Sequence, residues 1–142
     1  MAAVTAPFAN TALEYAAKAQ ETDVNNPDIY FLIAKIYNAL NDPQKAKENM
    51  DNALKYSLNR KDILITSILW KANDAETAKE ALEEIKEYQK QDPESRLAVF
   101  IEGLALLKQG KKQNAITVFK KIQNSNEDSF IKEVAKEIIK EN

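Results

Sequence analysis

The chain has 142 residues, enough for one compact domain burying about 68–70% of its unfolded surface, and 22 acidic residues against 20 basic ones leave a net charge of −2. That near-balance creates no field selecting nucleic acid or an anionic membrane, and the absence of cysteine and histidine removes disulfides, thiolate nucleophiles, imidazole catalysis and the usual zinc ligands. Two glycines, four prolines and an abundance of Ala, Leu, Glu and Lys predict an all-α protein.

Residues 1–9 are small and irregular in pattern, lack the basic start and apolar core of a signal peptide, and are expected to be a flexible lead-in. No apolar run approaches the ~20 residues that span a bilayer. The chain therefore reads as soluble and cytoplasmic, with a periplasmic location left open where a signal segment has been removed. From Asn10 to about Thr22 the pattern of Leu13, Ala16, Ala17 and Ala19 predicts a helix, and Asn26 with Pro27 suits the cap and first turn of the next. Tyr30, Ile33, Ala34 and Tyr37 form one stripe at i, i+3, i+4 and i+7, and Ala46, Met50 and Ala53 form a second after Asn41-Asp42-Pro43. A helix over about Arg60–Ala72 carries Ile65, Thr66 and Leu69. After Asn73-Asp74 another runs from Ala75 to about Lys90 with Ala78, Leu82 and Ile85. A third pair is expected from Pro93, capped by Asp92, to Gln109 with Val99, Gly103 and Leu106, and from Lys111 to about Asn124 with Ala115, Phe119 and Ile122. A last helix follows Asn126, with Ile131, Val134, Ala135 and Ile138 on one face.

The spacing separates a stack from an arbitrary bundle. Tyr37 to Ala46, Leu69 to Ala78 and Leu106 to Ala115 are each nine residues apart, while Ala12, Ala46, Ala78 and Ala115 follow one another at 34, 32 and 37 residues. A fixed geometry within each pair and elastic connections between pairs is what stacked repeats tolerate. Asn41, Asn73 and Gly110 occupy the three turns, and Asn and Gly share access to positive φ.

On these residues the chain resembles the tetratricopeptide repeat family, whose pattern is Trp-x2-Leu-Gly-x2-Tyr followed by Ala-x3-Phe. Tyr30, Ile33, Ala34, Tyr37, Ala46, Met50 and Ala53 match the first unit. Ile65, Thr66, Leu69, Ala78 and Leu82 match the second, with Asp62 at the aromatic place. Val99, Gly103, Leu106, Ala115, Phe119 and Ile122 match the third, with Glu102 where an apolar residue belongs. The resemblance implies an all-α, right-handed superhelical stack of antiparallel helix pairs: a half repeat at 10–26, repeats at 27–58, 59–92 and 93–125, and a capping helix at 126–142. The opening helix then counts as a second-type helix whose partner lies in a longer parent chain.

No phosphate-binding glycine loop or nucleophile elbow is present. Glu80, Glu83, Glu84 and Glu87 alternate with Lys79, Lys86 and Lys90 as on a solvated helix, so neither catalysis, a metal nor a cofactor is expected. The resemblance instead implies a non-catalytic protein-interaction module whose first helices line a concave groove. Aligning those helices groups Phe31, Ile63 and Phe100 at one position and Asn38, Trp70 and Leu107 at another. Ser67 and Leu104 join the same face, and Lys35, Lys71 and Lys108 make a basic edge. The expected ligand is an apolar protein or peptide with acidic residues, not nucleic acid and without membrane insertion. The alternative is a structural subunit that packs on copies of itself or on further repeats of a longer protein.

Overall fold

The computed structural model describes residues 6–123 and 130–141. Among these are eight helices and no strand. The chain divides into two compact units, Met1–Leu64 and Ile65–Asn142.

In the first unit, α1 (Ala6–Thr22) starts four residues before the expected boundary. Pro7 is no obstacle there, because a first-turn residue has no intrahelical N–H bond to lose, and Ala9 is fully buried. So residues 6–9 belong to the folded unit. The expectations for residues 1–5 and 124–129 lie outside the described residues. α2 (Pro27–Ala39) is capped as anticipated, Asn26 Oδ1 accepting from the Asp28 N–H at 2.9 Å. α3 (Pro43–Ser57) is capped by Asp42, whose carboxylate accepts from the Lys45 N–H at 3.2 Å. These two helices pack side by side. Tyr30 stacks on Tyr56 with centroids 5.5 Å apart, and Lys45 stands over the Tyr37 ring. α1 packs on α2, its buried residues being Ala9 and Ala16.

α4 (Lys61–Ala72) carries the boundary between the units. The expected stripe is too narrow for it. Ile63, Ile65, Ser67, Ile68 and Ala72 are all buried, and a helix buried on most sides needs apolar or small residues on most sides.

The second unit continues with α5 (Ala78–Gln91), α6 (Arg96–Lys108), α7 (Lys112–Gln123) and α8 (Phe130–Glu141). α6 packs on α5 and α7, and α8 lies against α7 and, less extensively, α6. The cap of α6 is Ser95 rather than Asp92: its Oγ accepts from the Ala98 N–H at 3.2 Å. Residues 92–95 form a turn instead, the Ser95 N–H donating to the Asp92 carbonyl.

Two of the three intra-pair turns are the same object. Asn41 and Gly110 take φ of 59° and 77°. Asp42 donates to the Tyr37 carbonyl and Asn41 to that of Asn38, and Lys111 and Gly110 repeat this toward Leu106 and Leu107. This double bond pattern, with the left-handed residue after the helix cap, satisfies the last carbonyls of the first helix and reverses the chain within three residues. The third turn differs. Asn73 does not take a positive φ; Thr77 Oγ1 donates to the Lys71 carbonyl at 2.7 Å and Asp74 accepts from the Glu76 N–H. Side-chain bonds thus occupy residues 73–77, and α5 starts at Ala78, three residues later than expected.

Candidate functional site

Positions outside the packing stripe of a first-type helix are where a partner-binding surface would lie. In the first unit Phe31 is half-buried and Asn38 exposed, while Lys35 Nζ lies 4.4 Å from the Phe31 ring centroid. A cation so placed is held by the ring's negative face and shields it from water. Ile63, grouped with Phe31 by alignment, is fully buried; it fills the core and offers a partner nothing. Leu32, one residue beyond Phe31, is 47% exposed. No periodicity signal points to it, since a single apolar residue outside a stripe is ordinary.

In the second unit Trp70, Phe100, Leu104 and Leu107 are half-buried and Lys108 is exposed. Ser67 is buried, so it too leaves the candidate surface. Phe100 is partly committed to packing, its ring centroid 5.7 Å from that of Phe119.

Lys71 differs most from expectation. Its Nζ bonds Glu80 at 2.9 Å and Glu84 at 2.6 Å, both on α5. Burial pulls its pKa down, but the hydrogen bonds and charges of Glu84 and Glu80 outweigh that and hold it above the usual lysine value. Its charge is therefore answered within the unit and adds little to a basic edge. The same contact corrects the reading of the α5 carboxylates. Glu87 pairs with Lys90 on its own helix, whereas Glu80 and Glu84 reach across to Lys71. Glu102 also finds a cross-helix partner, its carboxylate accepting from Gln89 Nε2 of α5 at 3.0 Å. That bond explains how a charged residue stands at an apolar place of the repeat.

Two further features of the first unit went unforeseen. Arg60 bridges Asp28, at the start of α2, and Asp62, at the start of α4. Its hydrogen bonds hold both carboxyls below the usual range. An open cavity of about 410 Å³ lies among Leu13, Glu14, Ala17 and Gln20 of α1, Ile33 and Tyr37 of α2, and Asn49 of α3. Among the described residues no group of three or more metal-ligating side chains is gathered, and no helix is long and apolar enough to cross a membrane.

The all-helical fold agrees with the comparison to known families. One tetratricopeptide repeat model matches residues 27–60 and another matches residues 67–129. The chain belongs to the tetratricopeptide repeat family. No curated protein and no solved structure matches it. Tetratricopeptide repeats are in general protein–protein interaction modules and typically non-catalytic, so the half-exposed apolar side chains of the first-type helices are the features to examine for binding.

Proposed function

We propose that this tetratricopeptide repeat protein is a non-catalytic scaffold that binds an apolar peptide or protein segment carrying some acidic residues. The reading rests on one observation: Trp70, Leu104 and Leu107 stay half-exposed at first-helix positions outside the buried stripe. Large apolar side chains that packing leaves in partial contact with water gain most from a partner that covers them, and tryptophan is among the residues enriched at the anchors of such contacts. Exposed Lys108 gives the second unit its cationic neighbour for an acidic residue. In the first unit Phe31, Lys35 and Asn38 are the corresponding residues.

The test is affinity capture from extract of the source cell, followed by titration of the captured partner. Trp70 is the single tryptophan, so its fluorescence reports occupancy directly. The variants Trp70→Ala and Leu104→Ser/Leu107→Ser are expected to weaken binding by about 2 kcal/mol or more with the helical circular dichroism unchanged, and Lys108→Glu is expected to weaken it at low salt. Capture that survives all three changes in folded protein refutes the assignment.

A further inference from the structure

The two ends of the chain carry complementary halves of a helix pair. α1 is a second-type helix: Ala12, Ala16 and Ala19 hold the places that Ala46, Met50 and Ala53 hold in α3, 34 residues later. In α3, the face toward its first-type partner is marked by Tyr56 stacked on Tyr30 and by Lys45 over Tyr37, with Ala46 and Ala53 almost wholly buried. The equivalent face of α1 runs through Phe8, Ala12, Tyr15 and Ala19, and it is open. Phe8 and Tyr15 are 69% and 70% exposed, while α2 occupies the adjoining line of Ala9 and Ala16.

α8 is the reciprocal half. Ile131, Val134, Ala135 and Ile138 repeat the spacing of Tyr30, Ile33, Ala34 and Tyr37, which makes it a first-type helix. It packs on α7, the second-type helix before it, and Ala135 is buried, yet Ile131, Val134 and Ile138 remain half-exposed. Charge agrees at one of the two carboxylate places that Lys71 bonds. Within the chain, Lys71 of a first-type helix bonds Glu80 of its second-type partner at 2.9 Å. The aligned places are Lys140 on α8 and Glu14 on α1, both exposed. Lys18 stands at the place of Glu84, with its ammonium drawn toward the Tyr15 ring, 5.8 Å from the centroid.

We propose that α8 of one copy seats on the open Phe8/Tyr15 face of α1 of a second copy, completing between molecules the helix pair that each carries as two separated halves. The contact joins unlike surfaces, so it repeats head to tail, as an open chain or as a closed ring.

Sedimentation velocity on the 142-residue chain from about 1 μM to about 1 mM tests this. The expected result is a mean mass that rises above that of the monomer with concentration. Tyr15→Glu and Ile131→Glu should each abolish growth. Mixed together they should form a 1:1 dimer and nothing larger, because one supplies an intact α8 and the other an intact α1. The exposed pair Glu14→Lys and Lys140→Glu gives a version that spares the apolar faces: each alone weakens association at low salt, and mixing the two restores it. A chain that stays monomeric throughout overturns the proposal. Growth that persists in Tyr15→Glu, or a mixture of folded variants that fails to pair, overturns it as well.

Discussion

Gly103 and Phe119 fit into each other: a Cβ at position 103 would lie 2.6 Å from Phe119 Cε1 and 2.7 Å from Cζ. The ring is fully buried, so moving it aside means displacing packed neighbours. In the first pair the aligned residues are Ala34 and Met50, both buried, and in the second Thr66 and Leu82. From the third pair to the first, the first-helix residue grows from Gly to Ala while its second-helix counterpart shrinks from Phe to Met; Thr66 and Leu82 of the second pair do not follow this trade. Gly103 with Phe119 and Ala34 with Met50 thus keep a similar summed volume with different residues, which is what close packing requires.

Gly103→Ala is therefore expected to destabilise the protein by about 1–3 kcal/mol through overpacking, despite the helix-propensity gain of about 1 kcal/mol on replacing glycine. The double variant Gly103→Ala/Phe119→Met copies the first pair and should recover part of the loss. A urea-denaturation double-mutant cycle measures this, with a favourable coupling of about 0.5–3 kcal/mol expected between the two sites. Strict additivity would show that the ring does not set the limit at position 103.

Leu58 ends α3 in the left-handed conformation, φ 54° and ψ 46°, although it is 89% exposed. Its side chain thus bears the steric cost of that conformation, about 1–2 kcal/mol for an L-residue, without gaining burial. Leu58→Gly should raise stability by about 0.5–1 kcal/mol after allowing for glycine's greater unfolded-state entropy. A shift of the urea midpoint to higher concentration, with the slope unchanged, is the expected signature.

Lys71 makes stability depend on alkaline pH. Its folded pKa is raised above the usual 10.5, so its contribution is complete below about pH 10.5 and is lost as pH rises through the folded value. Tyr88, whose pKa burial raises, loses its contribution in the same direction. Comparing Lys71→Met with the parent isolates the lysine: the variant should show a flatter decline in stability above about pH 10. Near neutrality it should be less stable by about 1 kcal/mol, since Glu80 and Glu84, four residues apart on α5, lose the cation between them.

Asp28 and Asp62 give the acid counterpart. Hydrogen bonds from Arg60 depress both carboxyls below the ordinary 3.8. Their contribution is present above that value and disappears as pH falls through the folded pKa. In Arg60→Gln, carboxyl titration followed by NMR should move both groups upward, Asp28 toward 3.8. An unmoved Asp28 would mean that the arginine contact does not persist in solution.

Many features that depend on residues close in the chain were legible in the sequence, although the Ser95 cap of α6 and the shape of the Asn73 turn, equally local, were not. The all-helical class, the caps at Asn26 and Asp42, the turns at Asn41 and Gly110, and the nine-residue spacing within each pair follow from backbone sterics and hydrogen bonds that reach no further than one turn. The register at Gly103 and Phe119 was visible because each pair repeats it. What the tertiary structure decided is how side chains distant in sequence share space and charge. Ile63 aligns with Phe31 but is buried where Phe31 is not, because burial depends on what surrounds the helix and not on position along it. Lys71 aligns with exposed Lys108, but it faces two carboxylates on α5 and Lys108 remains exposed at its own place. Periodicity assigns a residue to a helix face; only the packed neighbours determine whether that face meets water, a carboxylate or another helix.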